Sequence, residues 1–207
     1  MDILSIDPSD LLDLQTQAVS LSKGILPNKY VGPITIKVPS MMLDSLAVVF
    51  KYGHQVLGHE ATQEFVGELM TDVIAYALGF EQASLNWHKR HGPDQVVRHT
   101  QIPSLWGIFE AKGGTHGLSS KDSRYGRQMS KDWITGWLDE IVDNNSRSPD
   151  GKALAKAMRD KQEMLALVSR LDIRRQGTDG IAATFQLGFQ IYTPPKGNAM
   201  KDWKGFQ

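Results

Sequence analysis

The segment Leu105-Trp-Gly-Ile-Phe-Glu-Ala-Lys112 places two opposite charges at the end of a mainly apolar run. Part of it alternates between apolar and polar residues, which is typical of a β-strand. Side chains two positions apart on a strand share a face, so Glu110 and Lys112 are expected to project together while Ala111 points the other way. The charged end of this strand is therefore the first candidate for a chemical site.

Two further alternating stretches, Ser84–His88 and Asp94–Arg98, precede this strand, with the turn-forming pair Gly92-Pro93 between them. Together the three stretches predict a three-strand meander. If the Asp94 strand pairs beside the Glu110 strand, two carboxylates and one ammonium group meet at one place.

Apolar residues at helical spacing predict helices on both sides of the meander. The predicted helices cover about residues 8–22, 40–52, 60–78, 128–142 and 151–169, and further strands are predicted at 33–38, 171–175 and 181–192. This order indicates an α/β or α+β fold around one mixed sheet flanked by helices.

A length of 207 residues suits one domain of about 150 residues with an extension. The Gly53–Gly58 segment is the first plausible linker, so the main domain is predicted to begin at residue 58. Residues 1–57 form an extension of unknown role, residues 58–193 the main domain, and residues 194–207 a flexible tail.

Composition limits the possible classes of protein. The chain has 23 Lys and Arg against 23 Asp and Glu, so no global positive field attracts nucleic acid, and a local patch must do so. The absence of cysteine excludes disulfides, thiolate zinc sites and a cysteine nucleophile. The aspartate-rich amino terminus does not resemble a signal peptide, and no apolar run approaches the length of a membrane span, so we expect a soluble protein.

Two neighbouring carboxylates, Asp94 and Glu110, repel each other, and this repulsion raises the pKa of one of them unless a cation lies between them. A hard divalent ion with oxygen ligands, most simply Mg²⁺, relieves that repulsion. Such an ion polarises a phosphodiester oxygen and lowers the pKa of a bound water. The Lys112 ammonium is suited to hold the attacking water and to neutralise developing charge.

Four motifs surround this chemistry: Gly67-Glu68 on a helix, Pro93-Asp94, Glu110-Ala111-Lys112, and Gln128-Met129-Ser130-x-x-Trp133-Ile134. Together they resemble the PD-(D/E)XK, or restriction-endonuclease-like, nuclease superfamily. They are especially similar to the toxin nuclease domains of interbacterial competition systems. The resemblance covers roughly residues 58–142.

The resemblance implies a restriction-endonuclease-like core and a role for each matching residue. Asp94 and Glu110 become metal ligands for Mg²⁺ or Mn²⁺, and Lys112 becomes the catalytic lysine. Glu68 matches the helix carboxylate that often completes the metal site, and Gln128 matches a polar residue near the scissile phosphate.

The helix offers a second carboxylate, Glu64, one turn before Glu68. If Phe65 and Leu69 face the sheet, Glu68 lies at the edge of the buried stripe and Glu64 lies further round the helix. We therefore expect Glu68, and not Glu64, to contribute to the site.

The function implied by the resemblance is that of a metal-dependent endonuclease acting on DNA or tRNA. It further implies an antibacterial toxin, delivered to the cytoplasm of a target bacterium and neutralised by a cognate immunity protein. Local basic residues and one loop histidine are expected to bind the substrate: Arg124, Arg127, Lys131 and His116. The alternative is a non-catalytic domain that keeps the nuclease fold and binds nucleic acid or protein.

Simpler interpretations exist for the central residues. Asp94 after Gly92-Pro93 is also typical of a turn, and Glu110 with Lys112 is also typical of an exposed ion pair worth under about 1 kcal/mol. The glycines in Gly113-Gly114-x-x-Gly117 suit either a flexible turn or a backbone cradle for phosphate.

The histidines and the aromatic residues each suggest another functional role that must be considered. His88, His91 and His99 are a rival set of metal ligands, although no acidic pair accompanies them. Large apolar residues on the helix after Gln128, among them Trp133 and Trp137, are predicted to be core residues and not a base-stacking platform.

Overall fold

The computed structural model describes residues 31–37, 40–87, 92–114, 117–119, 124–176, 180–194, 203 and 206. The elements of this part of the chain are β1 (Val31–Lys37), α1 (Ser40–Leu57), α2 (His59–Ala77), β2 (Phe80–Gln82), β3 (Gln95–His99), β4 (Trp106–Gly113), α3 (Lys131–Asn144), α4 (Pro149–Arg159), β5 (Met164–Gln176) and β6 (Gly180–Tyr192). The helix predicted over residues 8–22 lies outside the described residues. None of the helices described is both long and apolar enough to span a bilayer.

The strands form one mixed sheet in the order β1-β6-β5-β4-β3-β2. β4 and β5 run parallel, and the other neighbouring pairs are antiparallel. Helices α3 and α4 lie in the crossover between β4 and β5, as a parallel pair requires. The predicted mixed α/β class is therefore confirmed.

Both faces of the sheet carry a hydrophobic core. On one face, Val66 and Ile74 of α2 belong to the same buried cluster as Phe109 of β4. On the other face, Trp133 and Ile134 of α3 belong to the same cluster as Ile108 of β4 and Ala166 of β5. The helix-borne tryptophans are thus core residues, as predicted.

Three predicted boundaries are wrong. The first strand of the meander is Phe80–Gln82, while Ser84 to Trp87 adopt no strand. The helix predicted over residues 151–169 ends at Arg159, because the continuously apolar run that follows is a strand buried on both faces. The proposed linker is helical as far as Leu57, and the break comes at Gly58, which has φ 83°.

Helix α3 also begins later than predicted. Ser130 is its N-cap and accepts a hydrogen bond from the Trp133 N–H at 3.2 Å, while Met129 before it has a positive φ of 59°. Gln128 therefore lies in the turn that precedes the helix, and its side chain is free to point towards β4.

The two predicted flanking regions contribute to the domain wherever the structure describes them. β1 pairs with β6 at one edge of the sheet, and Leu46 of α1 is buried in the core with α2. Trp203 and Phe206 are buried against the α3 face, and the Trp203 indole donates to the Met129 carbonyl at 3.0 Å. At these two positions the predicted flexible tail is packed.

Glycines allow α2 to approach the end of β4 very closely. A Cβ atom on Gly67 would lie 3.2 Å from the Lys112 carbonyl oxygen, and one on Gly113 would overlap the backbone of Gln63. Any larger residue would push the helix away from the strand. This contact places the part of α2 around Gly67 beside the charged end of β4.

Candidate functional site

The site lies where β3 separates from β4. Their pairing extends to Gln95 opposite Phe109, so from Glu110 onwards β4 pairs only with β5. The Ala111 N–H on this open edge donates to Asp94 Oδ2 at 2.7 Å. Asp94 therefore completes the strand edge and lies next to Glu110, as its predicted pairing required.

Glu110 is 2% exposed, so the interpretation as an exposed ion pair is wrong. Its Oε1 accepts hydrogen bonds from Lys112 Nζ at 2.6 Å and from Gln128 Nε2. Its Oε2 is buried and has no hydrogen-bond partner among the described residues. One oxygen of this carboxylate is thus held by two donors, while the other makes no such contact with the described residues.

Burial and neighbouring negative charges perturb both carboxylic acids. The pKa of Glu110 is raised to about 8, first by burial and then by the charge of Asp94, against the opposing effect of Lys112. The pKa of Asp94 is also raised by burial, although the Ala111 hydrogen bond and Lys112 oppose the rise and Glu64 adds to it. Both carboxyl groups are therefore harder to ionise than exposed acids, chiefly because they are buried.

All five residues predicted to be catalytic line one open cavity of about 350 Å³: Glu68, Asp94, Glu110, Lys112 and Gln128. They come from α2, the start of β3, the end of β4 and the turn before α3. Segments far apart in the chain are thus brought together.

The α2 wall of the cavity differs from the predicted one. Phe65 is 52% exposed, so the expectation that it faces the sheet is wrong. Glu64 lines the cavity as well as Glu68, and its charge acts on Asp94. The sequence argument that preferred Glu68 to Glu64 therefore loses its basis.

The cavity also contains polar residues that were not predicted, namely Asp72, Gln82 and Gln95. Gln95 Nε2 donates to Asp72 Oδ1 at 2.7 Å, while Gln95 Oε1 is buried without a hydrogen-bond partner in the described part of the chain. Asp72 continues the i, i+4 spacing of Glu64 and Glu68, which is a signal that the sequence contained.

The three described residues that were predicted to bind substrate lie outside this cavity. Arg124 pairs with Glu140 at 3.0 Å, and its guanidinium lies 5.0 Å from the centre of the Tyr125 ring, in a separate surface depression. Arg127 and Lys131 do not line the cavity, and His116 lies outside the described residues. Of the described lining residues, Lys112 alone is cationic.

The rival sequence features have structural explanations where they are described. His99 Nδ1 accepts hydrogen bonds from the Gln101 and Ile102 N–H groups, so this histidine organises a turn. The Gly114 N–H donates to the Leu171 carbonyl at 2.7 Å, so it is not available to a phosphate. His88 and His91 lie outside the described residues.

The donor set fits a hard divalent cation. Within the described ranges, no three His, Asp or Glu side chains are gathered into a ready-made metal site. Mg²⁺ typically needs only one or two carboxylates, because water and substrate phosphate complete its shell. Asp94 and the Oε2 of Glu110, which has no hydrogen-bond partner among the described residues, could supply such oxygen ligands. The described lining of the cavity carries five carboxylates and one lysine.

No protein-family model matches the chain, and neither a curated protein nor a solved structure is found to match it. The resemblance to the PD-(D/E)XK superfamily therefore rests on the motifs themselves.

Proposed function

We propose that this protein is a metal-dependent nuclease of the PD-(D/E)XK type, which hydrolyses phosphodiester bonds in DNA or tRNA. The observation that carries the proposal is the convergence of Asp94, Glu110, Lys112 and Gln128 on one cavity, with an unpaired buried oxygen on Glu110. A buried acid with a raised pKa is more typical of a functional site than of an exposed surface salt bridge.

The fold supports the same proposal. Asp94 stands at the start of one antiparallel strand, and the Glu-x-Lys motif ends the neighbouring strand, which is parallel to β5. Helix α2 covers this end of the sheet and presents carboxylates to it. These placements support the proposal of a restriction-endonuclease-like core.

Asp94 and Glu110, together with Glu68, would hold Mg²⁺ or Mn²⁺. When bound, the ion would supply Lewis-acid polarisation of a phosphoryl oxygen and a lowered pKa for a bound water. The residues fit such an ion because all the donors are oxygens.

Lys112 acts in a position fixed by Glu110. Its Nζ is held at the cavity, where it orients the attacking water and offsets the negative charge that develops on the phosphoryl oxygens. The water oxygen bonds to phosphorus and loses a proton to solvent, the bond between phosphorus and the leaving sugar oxygen breaks, and that oxygen takes up a proton from solvent.

Gln128 is best assigned as a positioning residue. Its Nε2 donates to Glu110, and its Oε1 accepts from the Ser119 N–H at 3.0 Å. Both ends of the amide are occupied, so Gln128 fixes the Glu110 carboxylate and ties it to the loop after β4.

The biological setting rests on the resemblance alone. It extends the proposal to an antibacterial toxin that acts in the cytoplasm of a target bacterium. A cognate immunity protein would neutralise it.

The test incubates the purified full chain with supercoiled plasmid and with total tRNA, in Mg²⁺, Mn²⁺ or EDTA. We expect metal-dependent cleavage that is lost in Asp94→Asn, Glu110→Gln and Lys112→Ala, and retained in Glu163→Gln, which changes an exposed carboxylate outside the cavity. Cleavage that persists in EDTA, or at the wild-type rate in Lys112→Ala, would contradict the proposal. Calorimetric Mg²⁺ binding without cleavage of either substrate would favour a non-catalytic binding domain.

A further inference from the structure

Arg170 on β5 lies directly beside Lys112 on β4. The two are paired in the parallel register, Arg170 pairs in turn with Gln186 on β6, and Gln186 pairs with Thr35 on β1. Directly paired residues of neighbouring strands project from the same face of a sheet. A polar row therefore crosses four strands, beginning at the proposed active site.

The guanidinium of Arg170 is held by neutral groups. Its Nη2 donates to Gln186 Oε1 at 2.5 Å, and its Cζ lies 5.6 Å from the centre of the Phe206 ring. In the described part of the chain, no carboxylate lies within ion-pair distance of Arg170. By contrast, Arg174 on the same strand pairs with Asp172 at 2.6 Å.

A half-buried arginine without a carboxylate partner is suited to bind an anion. The guanidinium has five N–H donors, and Gln186 accepts from one of its nitrogens. The Gln186 contact and the aromatic ring hold the planar group in place, which lowers the entropic cost of a bidentate bond to phosphate.

The spacing also suits an extended phosphate backbone. Neighbouring strands lie about 4.8 Å apart, and successive nucleotides of one strand in a duplex rise by about 3.4 Å. Long side chains on neighbouring strands can therefore reach successive phosphates. When Lys112 faces the scissile phosphate, Arg170 is placed to face the next one.

We propose that Arg170 binds the phosphate adjacent to the scissile phosphate, so that the cleaved strand runs across the sheet from Lys112 towards Gln186. This inference rests on the proposed nuclease function and adds the path of the substrate to it. It also adds a second cation beside Lys112, which is the one cationic residue among the described residues that line the cavity.

The test compares Arg170→Gln with the wild type and with Arg159→Gln, which removes an exposed arginine from α4. Anisotropy of a fluorescent oligonucleotide of the cleaved type is measured in Ca²⁺ over a range of salt concentrations, and kcat and KM are measured in Mg²⁺. For Arg170→Gln we expect Kd and KM to rise about tenfold and kcat to change by less than about threefold. The slope of log K against log salt should fall by about 0.7–0.9, which corresponds to one phosphate contact.

Chemical protection gives a readout that needs no variant. In the wild type, bound oligonucleotide should protect Arg170, and not Arg159, from phenylglyoxal, as mapped by mass spectrometry. Equal modification of Arg170 with and without oligonucleotide would overturn the inference, as would an unchanged Kd and salt slope in folded Arg170→Gln. If the wild type neither binds nor cleaves nucleic acid, the proposed function fails and this inference fails with it.

Discussion

Glu110→Gln is expected to make the stability of the metal-free protein much less dependent on pH. In the wild type, burial and the charge of Asp94 raise the pKa of Glu110 from 4.5 to about 8. Between these two values the folded state holds a proton that the unfolded chain has lost. The free energy of unfolding therefore falls as pH rises through this window, and it levels off above the folded-state pKa.

The size of the effect follows from linkage. One group can change the free energy of unfolding by at most about 1.4 kcal/mol per pH unit, so the loss between about pH 5.5 and 7.5 is limited to about 2–3 kcal/mol. Glutamine cannot ionise, and its amide oxygen can still accept from Lys112 and Gln128. The variant should thus match or exceed the wild type in stability at the higher pH.

The assay is urea denaturation in EDTA at several pH values, with Glu163→Gln as a control that removes an exposed carboxylate. We expect the wild type and the control to lose stability in parallel as pH rises, while Glu110→Gln gives a shallower curve. Saturating Mg²⁺ should raise the free energy of unfolding of the wild type at high pH, because the ion binds the folded state, and it should raise that of Glu110→Gln by less. Parallel curves for all three proteins would refute the raised pKa of Glu110 in the folded, metal-free protein.

Three further outcomes are expected. Lys112→Ala should abolish plasmid or tRNA cleavage while changing the free energy of unfolding by about 1 kcal/mol or less. Trp133→Ala should instead lower the free energy of unfolding by about 3–5 kcal/mol, because it leaves a cavity in the core. Cleavage assays and denaturation measurements on both variants distinguish these effects. Because Glu64 and Glu68 of α2 both line the cavity, Glu64→Gln and Glu68→Gln should each weaken Mg²⁺ binding in calorimetry, and wild-type affinity in either would remove that carboxylate from the site. Gly113→Ala should lower the free energy of unfolding by about 1–3 kcal/mol and widen the cavity, since the new methyl group would meet the α2 backbone; a wild-type melting temperature would contradict the close contact.

The acidic cavity has a consequence for how substrate reaches it. With five carboxylates and one lysine around the opening, a phosphodiester is repelled unless cations intervene. A divalent ion would supply part of the missing charge, and Arg170, beside Lys112 in the sheet, would supply another part. We therefore expect metal and substrate each to raise the affinity of the protein for the other, because each reduces the electrostatic cost of binding the other.

The central residues of the site were predictable because their relation is local. Glu110 and Lys112 are two positions apart on one strand, and strand geometry alone places them on one face. Asp94 needed one further assumption, an adjacent antiparallel strand, which the turn signal at Gly92-Pro93 supported. Asp72 was missed although its spacing from Glu68 is one helical turn.

The face of α2 that turns to the sheet was not predictable. Phe65 and Tyr76 are 52% and 68% exposed, while Val66 and Ile74 are fully buried, so apolar residues occur on more than one side of the helix. A periodic pattern identifies such a helix without indicating which side is covered. Packing of Gly67 on β4 decides the rotation, and that contact is tertiary.

The amino-acid sequence by itself determined the class of fold, most of the element order and the chemistry of the Asp94, Glu110 and Lys112 cluster, because these depend on local periodicity and residue type. Tertiary structure alone decided that the run after Arg159 is a doubly buried strand, that Glu64 and Asp72 join the cavity, and that Arg170 lies beside Lys112. The physical reason is that strand order, register and helix rotation minimise the exposed apolar surface of the whole molecule. No short stretch of sequence specifies strand order, register and helix rotation for the whole molecule.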